Sequence, residues 1–268
     1  MRKLLIAVLL LFEACPALAV TPTKTILDVG FGPLSDQKLD ICLPSEPIAA
    51  NSAVLLIHGG GWIEGDKAVM RGWCTLLARS GVVAATVGYR LAKLEDPSSR
   101  WPAQINDVSL AFKWLQDHSQ ELGIDPNRIC SFGESAGGHL SLWLAIKEKK
   151  LACVIDGFGP MNLPTLPRFK RPFDALFGQQ RSAADERAAT PLFYLSERLP
   201  PILIFQGAQD DVVPPEQSNE LYDAARKKNL NIKLVMYQGG HSWKGLSPEK
   251  KSDLLMEMVR FIKEASPR

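Results

Sequence analysis

The 268-residue sequence has no excess of charge of either sign. It contains 31 Lys and Arg residues against 29 Asp and Glu residues, which gives a formal net charge of +2. The basic residues are not gathered into a run, and no internal repeat or low-complexity tract is present. Because proteins that bind nucleic acids present concentrated positive charge to the phosphates, the sequence predicts that nucleic acid is not a partner.

Sequence patterns for metal ions and nucleotide cofactors are also missing. The four His residues, the Cys residues and the carboxylates do not cluster at the spacings of metal ligands. The glycine-rich stretch at 58–62 is not followed by Gly-Lys-Ser/Thr, and its spacing differs from that of a dinucleotide-binding loop. We therefore expect no metal ion and no cofactor.

The longest apolar run is short and lies near the N-terminus, at residues 4–12. It follows two basic residues and precedes Ala17-Leu18-Ala19, whose small side chains suit cleavage after Ala19. Since a membrane-spanning helix needs about 20 apolar residues, we predict a signal peptide over 1–19 and no stable membrane anchor. This favours export to the periplasm or the medium; an uncleaved anchor and a lipid on Cys15 are the less favoured alternatives.

Residues 20–268 suffice for one large domain with a full core, and no second domain is needed. Four cysteines remain in this part of the chain, each in an apolar context: Cys42, Cys74, Cys130 and Cys153. Export would permit disulfide bonds, but the spacing is not diagnostic of any pairing. We expect free buried thiols in preference to one or two disulfide bonds.

Strands and helices alternate along this domain. Two short strands at 25–29 and 38–43 predict an antiparallel edge, and the apolar run Ala53–Ile57 indicates a strand buried on both faces. An amphipathic helix is predicted over 102–122. The alternation predicts an α/β fold: a mostly parallel eight-stranded sheet with helices on both faces. The proline-broken stretch 157–201 predicts a small insertion after the sixth strand and no long amphipathic lid.

A sharp turn is predicted at Gly133-Glu134-Ser135-Ala136-Gly137, between an apolar strand and a helix. A serine hydroxyl is a weak nucleophile, so it must stand clear of its own backbone beside a base and preformed N–H donors. Such a turn exposes Ser135 and brings the strand so close to the helix that side chains at Gly133 and Gly137 would clash. The strand-turn-helix context favours Ser135 as a nucleophile over a chance Gly-x-Ser-x-Gly.

A serine nucleophile requires a base, and His241 is the best candidate. It follows the last predicted strand in a glycine-rich loop that can bring the imidazole over the turn at Ser135. The other histidines are assigned structural roles from their positions in the glycine loop or on helices: His58, His118 and His139.

The carboxylate that orients the base should end the strand before it. The loop 207–214 offers two adjacent candidates, and its pattern favours Asp210 over Asp211, which then becomes a solvated turn residue or a helix cap. Asp156 also ends a strand and is the remaining alternative.

Backbone N–H groups must also stabilise the negative charge that develops during acyl transfer. Ala136 follows the nucleophile and supplies one, and Gly60 and Gly61 are expected to supply the others because no side chains intervene. Trp62 beside them either lines the substrate pocket or is a packed aromatic residue; the sequence leaves both open.

With these motifs, the chain from about Thr25 resembles the α/β-hydrolase family, specifically the esterase branch that includes hormone-sensitive-lipase-like and feruloyl-esterase-like proteins. The resemblance implies a metal-free serine hydrolase that cleaves carboxylic esters through an acyl-enzyme. One departure is Gln206, where relatives often carry His before the glycine of the acid loop. The motifs are His58–Trp62, Gly88–Leu91, Trp101–Gln104 with Asp107, Gly123–Pro126 with Arg128–Ile129, Gly133–His139 and Asp210–Pro214.

Tyr89, Arg90 and Asp107 are expected to make structural polar contacts under the site. The predicted substrates are small-molecule esters with short acyl groups or acylated sugars. An amide hydrolase, either an arylformamidase or an exopeptidase, would use the same triad and stays open as an alternative. A binding protein on an inactive hydrolase scaffold is less favoured because every catalytic position is filled. The sequence does not indicate the oligomeric state.

Overall fold

The computed structural model describes residues 23–45, 51–166, 169–243 and 245–265. The predicted signal peptide over 1–19 lies outside the described residues and stays a prediction. Within these ranges, no helix combines the length and the apolar character needed to cross a membrane.

A sheet of eight strands forms the centre of the domain, in the order β1-β2-β4-β3-β5-β6-β7-β8. β1 pairs antiparallel with β2, and β2 pairs antiparallel with β4; all the other pairs are parallel. The predicted mostly parallel sheet with an antiparallel edge is therefore confirmed. The strands are β1 Thr23–Gly30, β2 Lys38–Pro44, β3 Ala53–Ile57, β4 Val83–Val87, β5 Ile129–Glu134, β6 Val154–Gly157, β7 Ile202–Gly207 and β8 Ile232–Tyr237.

Helices cover both faces of the sheet. α2, α4 and α7 contribute to the apolar core on one face, and α1 and α8 contribute to the core on the other. The predicted helix over 102–122 divides at His118 into α2 and the short α3. The helices are α1 Arg71–Arg79, α2 Ala103–Asp117, α3 Ser119–Leu122, α4 Ala136–Glu148, α5 Lys170–Phe177, α6 Ala183–Ala188, α7 Glu216–Lys227 and α8 Pro248–Glu264.

The strand β3 shows how the sequence produces a two-sided core. All five of its side chains are buried. Leu55 and Ile57 belong to the core under α2 and α4, whereas Val54 and Leu56 belong to the core under α1 and α8. Because successive side chains on a strand point to opposite faces, a continuous apolar run is required wherever helices cover both sides.

The described part of the stretch between β6 and β7 includes the α-helices α5 and α6, and α5 packs onto the domain. Phe173 and Leu176 of α5 are buried in the core. Arg181 ties the two helices together, since its guanidinium pairs with Asp174 on α5 and, at 2.8 Å, with Glu186 on α6. The stretch is therefore a fixed wall of the domain.

Two disulfide bonds correct the expectation of free thiols. Cys42 on β2 is bonded to Cys74 on α1, and Cys130 on β5 is bonded to Cys153 just before β6. The paired residues lie 32 and 23 positions apart, and their Cα atoms lie 5.7 and 4.6 Å apart. Both bonds are buried in the core under α1 and α8. Cysteine spacing could not reveal them, because each pair is made by elements that meet only in the folded sheet.

These bonds should contribute measurably to stability. Closing loops of 32 and 23 residues restricts the unfolded chain by about 3–4 kcal/mol each in the chain-entropy model. We expect the urea midpoint of the oxidised protein to fall markedly in dithiothreitol, and the Cys42→Ala/Cys74→Ala variant to show a smaller fall. Detection of four free thiols in the denatured, unreduced mature protein would contradict both bonds.

Candidate active site

The turn at Ser135 has the strained geometry that the motif requires. Ser135 adopts φ 54° and ψ −120° between β5 and α4, and its N–H donates to the Gly157 carbonyl at 2.8 Å. A Cβ at Gly133 would lie 2.1 Å from the Gly137 carbonyl carbon, and one at Gly137 would lie 2.0 Å from the Ile57 oxygen. Glycine is required at both positions because strand and helix approach more closely than any side chain allows.

Three side chains from three strand ends meet at this turn. His241 Nε2 lies 2.9 Å from Ser135 Oγ, and His241 Nδ1 lies 2.8 Å from Asp210 Oδ2. The strands that lead to them, β5, β7 and β8, are parallel neighbours or near neighbours, so their carboxyl ends share one edge of the sheet. The structure thus brings together the three residues singled out from the sequence.

The Asp210 carboxylate is buried and held on both oxygens. Its Oδ1 accepts the N–H groups of Val212 and Val213 at 3.0 and 2.9 Å. Its Oδ2 accepts from His241 and, at 3.2 Å, from the Gln206 side-chain amide. Gln206 is itself fixed, because its Oε1 accepts from Ser218 at 2.8 Å. Gln206, the residue that departs from the pattern of the resembled family, therefore helps to hold the Asp210 carboxylate in place.

The two alternative carboxylates lie elsewhere. Asp211 is exposed at the rim of the cleft. Asp156 on β6 is fully buried, with Oδ1 accepting the Gly159 N–H at 2.9 Å. Its Oδ2 has no hydrogen-bond partner among the described residues, and burial raises the pKa of Asp156 to about 7. Asp210 is the carboxylate in contact with His241.

The glycine loop forms one side of the cleft. Gly60 and Gly61 have positive φ angles of 110° and 57°, and both line the cleft beside Ser135. A Cβ at Gly60 would lie 2.0 Å from the Glu64 carbonyl oxygen, so the loop tolerates no side chain there. Ala136 is the first residue of α4, where amides have no partner within the helix. The assignment of these three amides as donors to the developing negative charge stays a prediction.

Trp62 does not line the cleft, which corrects the first of the two roles that the sequence left open, that of a substrate-binding residue. Its side chain is fully buried, and the indole N–H donates to His139 Nδ1 at 3.2 Å. Residue 62 also has a positive φ of 64°, and the ring packs against Phe169 and Phe173. Trp62 is a packed aromatic residue that supports the wall of the cleft from behind.

The other three histidines have the structural positions expected for them. His58 is buried and stacks on Tyr89, whose hydroxyl donates to the His58 carbonyl at 3.0 Å. His139 is buried, and its Nε2 lies 2.7 Å from the Ala189 carbonyl. Burial lowers the pKa of His139 to about 4. His118 caps the end of α2 and stacks on Trp114.

A charged pair supports the region behind the glycine loop. The Arg90 guanidinium donates to both oxygens of Asp107, at 2.8 and 2.7 Å. Gln37 donates to the same carboxylate at 2.7 Å, and Asp107 is nearly fully buried. Bidentate pairs of this kind fix geometry as well as charge. The expected structural contacts of Tyr89, Arg90 and Asp107 are therefore present.

The cleft over Ser135 has a volume of about 570 Å³. Its polar end contains the glycine loop, Ser135 and His241. Its apolar wall consists of Ile63, Phe158, Phe169, Pro172 and Val212. Phe169 and Pro172 come from the start of α5, so the stretch between β6 and β7 shapes one side of the cleft.

The contacts of several site residues were not predicted from the sequence. Gln206 contacts the acid, and Phe158, at a positive φ of 48°, packs its ring 4.9 Å from the His241 ring. Glu134 accepts hydrogen bonds from the indoles of Trp73 and Trp243. Glu134, Trp243 and Gln206 lie one, two and four residues from a triad member, which was the available signal. Phe158 and Trp73 lie far from the triad residues in the sequence and gave no such signal.

Comparison with protein families places these features in context. A family model described as BD-FAE matches residues 39–225, which include Ser135 and Asp210. Esterase LipC of Mycobacterium tuberculosis is 27% identical over 208 residues, which cover 69% of this chain and 50% of that protein. Ethyl acetate hydrolase of Pseudomonas putida is 39% identical over 101 residues, covering 37% of this chain and 30% of that protein. The chain thus spans half or less of the length of these relatives.

Solved structures give the same fold. A truncated carbohydrate esterase from gut microbiota superimposes with a TM-score of 0.78 at 22% identity, covering 93% of this chain and 99% of that chain. At this identity the likeness shows a shared fold.

Proposed function

This chain belongs to the BD-FAE family of α/β-hydrolase carboxylesterases, and from this premise we propose that it hydrolyses carboxylic esters with Ser135, His241 and Asp210 as its catalytic triad. The observation that carries the proposal is the hydrogen-bonded series Ser135–His241–Asp210 at the floor of an open cleft. An inactive binding scaffold would have no need to keep this series intact.

In the proposed reaction, these three side chains and the nearby backbone amides act in turn. His241 Nε2 removes the hydroxyl proton as Ser135 Oγ attacks the carbonyl carbon of the ester. The carbonyl oxygen takes up negative charge, and the amides of Gly60, Gly61 and Ala136 stabilise it. The imidazolium then gives the proton to the alkoxy oxygen, the carbon–oxygen bond breaks, and the alcohol leaves an acyl group on Ser135. His241 then takes a proton from water as the water oxygen attacks the acyl carbon. The bond from that carbon to Ser135 Oγ breaks, the imidazolium returns the proton to Oγ, and the carboxylic acid leaves.

Asp210 has an orienting role in this proposal. Its carboxylate accepts a hydrogen bond from the Nδ1–H of His241, which leaves Nε2 unprotonated and able to act as the base. The two valine amides and Gln206 keep the carboxylate from rotating.

The disulfide bonds support the proposed export. Disulfides persist in oxidising compartments and are rare where thiols are kept reduced. Two of them in one domain therefore favour the periplasm or the medium, in agreement with the signal peptide predicted over 1–19.

An amide hydrolase is the second candidate, because the same triad attacks amides. A panel of soluble p-nitrophenyl esters, acetylated and feruloylated sugars, N-formylkynurenine and aminoacyl anilides separates the two. Hydrolysis of esters with a kcat/KM far above that of any amide supports the ester proposal. Efficient cleavage of an amide with little ester turnover would replace it.

We expect a preference for short acyl groups, from acetyl to butyryl. The wall from α5 is packed into the core, and the apolar side of the cleft is formed by a few side chains. A longer acyl chain would leave some of its methylene groups in water. Each such group loses the favourable free energy of burial, which is about 0.8 kcal/mol. The relative from Pseudomonas putida is named for a short acetyl ester, which supports this range.

The measurement is kcat/KM for p-nitrophenyl esters from acetate to palmitate, below and above the solubility limit. A maximum at dodecanoate or longer, or a jump in rate when droplets form, would mean that the segment over 157–201 acts as a lid.

A further inference from the structure

Glu134 lies immediately before Ser135, and the mechanism above does not use it. It is the last residue of β5 and its side chain reaches the edge of the cleft. Its Oε1 accepts the indole N–H of Trp73 at 2.7 Å and also that of Trp243. One carboxylate oxygen thus joins α1 to the loop that carries His241.

Trp243 is anchored among aromatic rings. Its ring centroid lies 5.3 to 6.5 Å from those of five aromatic side chains, which come from α1, β5, β7, β8 and the turn after β6. These five residues are Trp73, Phe132, Phe158, Phe205 and Tyr237. The edge-to-face and stacked pairs among them stabilise the position of the ring beyond what its buried area contributes.

The loop from Gly239 to Ser242 has no regular secondary structure and contains two glycines. Ordering such a segment costs conformational entropy, which the contacts of its residues must offset. The Tyr237 hydroxyl donates a hydrogen bond to the Ser242 carbonyl at 3.3 Å. The following residue is Trp243, whose ring is held by the contacts described above. His241 lies two residues before Trp243, so the fixed position of the Trp243 ring restricts the positions that the His241 imidazole can take.

We propose that Glu134 is a positioning residue, which through its hydrogen bonds to Trp73 and Trp243 holds the His241 loop against Ser135. This inference rests on the proposed function for its consequence in catalysis. Burial raises the pKa of Glu134, but a carboxyl oxygen accepts N–H donors whether or not the group is charged. A misplacement of the base by about 1 Å can reduce the rate by about 100-fold.

The test compares four variants with the wild-type protein. Trp243→Phe keeps the ring and removes the N–H, and Glu134→Met removes the acceptor at similar length. Glu134→Gln keeps an oxygen acceptor. Trp143→Phe is the matched control, because Trp143 also donates its indole N–H, to the Ala189 carbonyl at 2.7 Å, outside the cleft.

Two experiments are made on each variant. One gives kcat and KM for p-nitrophenyl acetate, and the other gives the rate of amide hydrogen exchange in the peptide that covers 239–246. We expect Trp243→Phe and Glu134→Met to lower kcat by about 10- to 100-fold with little change in KM. We also expect faster exchange of this peptide in both variants. Glu134→Gln should recover most of the exchange protection and most of the kcat lost in Glu134→Met. Trp143→Phe should stay within about twofold of wild type.

Several results would overturn the proposal: equal effects of Trp243→Phe and Trp143→Phe, unchanged exchange of the loop, or no difference between Glu134→Gln and Glu134→Met. If Trp243→Phe does not fold, the comparison of Glu134→Met with Glu134→Gln tests the proposal by itself. A wild-type protein that hydrolyses no ester would overturn the proposed function alone, since the exchange measurement does not depend on turnover.

Discussion

The Ser135→Ala variant is expected to lose ester hydrolysis by a factor of about 10³ or more while its melting temperature stays close to that of wild type. The substitution removes one hydroxyl that faces the cleft, and alanine has the same backbone requirement as serine at the positive φ of 54°. The amides of the glycine loop stay in place, so a small residual rate over water is expected.

The measurement is kcat for p-nitrophenyl acetate, together with labelling by a fluorophosphonate probe and mass spectrometry of the modified peptide. The wild-type protein should carry the adduct on Ser135, and the variant should carry none. Ser182→Ala is the matched control, because Ser182 caps α6 away from the cleft and its loss affects that helix alone. Near-normal turnover by a folded Ser135→Ala variant would refute the nucleophile assignment.

The Asp156→Asn variant is expected to become progressively more stable relative to wild type as the pH rises. Asp156 is fully buried, and burial raises its pKa to about 7 in the folded protein, whereas an unfolded Asp titrates near about 3.9. A raised pKa contributes stability that is fully present below the unfolded value and is lost as the pH rises through the folded value. The full loss amounts to roughly 4 kcal/mol for this separation of pKa values.

The measurement is the free energy of unfolding of both proteins at several pH values. Between about pH 5 and about pH 8, their difference should change by about 3 kcal/mol in favour of the variant. Taking the difference between the two proteins removes the titration of the groups they share. The cost of burying the asparagine amide does not depend on pH, so it shifts this difference by a constant amount and leaves its change with pH unaffected. Asp223→Asn, which neutralises an exposed carboxylate on α7, should leave the wild-type pH dependence in place. Parallel curves for Asp156→Asn and wild type would contradict the prediction.

Local pattern and strand order were enough to predict the sheet and the residues that meet in the site. Gly133, Ser135 and Gly137 are constrained by contacts within one turn, which a short motif records. Asp210 and His241 could be found because parallel strands place their carboxyl ends along one edge. The antiparallel start of the sheet followed from two short strands joined by a turn.

What the sequence could not reveal depends on the direction of side chains in the folded chain. Trp62 is adjacent to the glycine loop, yet its backbone turns the indole away from the cleft into the core. The cysteine pairs meet because α1 lies on β2 and because β6 begins beside β5. Glu134, Trp73 and Trp243 lie in three separate parts of the sequence, and nothing in their local patterns indicates a shared oxygen atom.

The separation of Ser135 from His241 by 106 positions along the chain has a consequence for folding. The strand that leads to the base is the last of the eight to be synthesised, and contacts so distant in sequence carry a large loop-closure cost. A partly folded chain that lacks this strand can contain the strained turn, the glycine loop and both disulfide bonds, but not the His241 contact. If His241 is the base, as proposed, ester hydrolysis would therefore report that the last strand has joined the sheet.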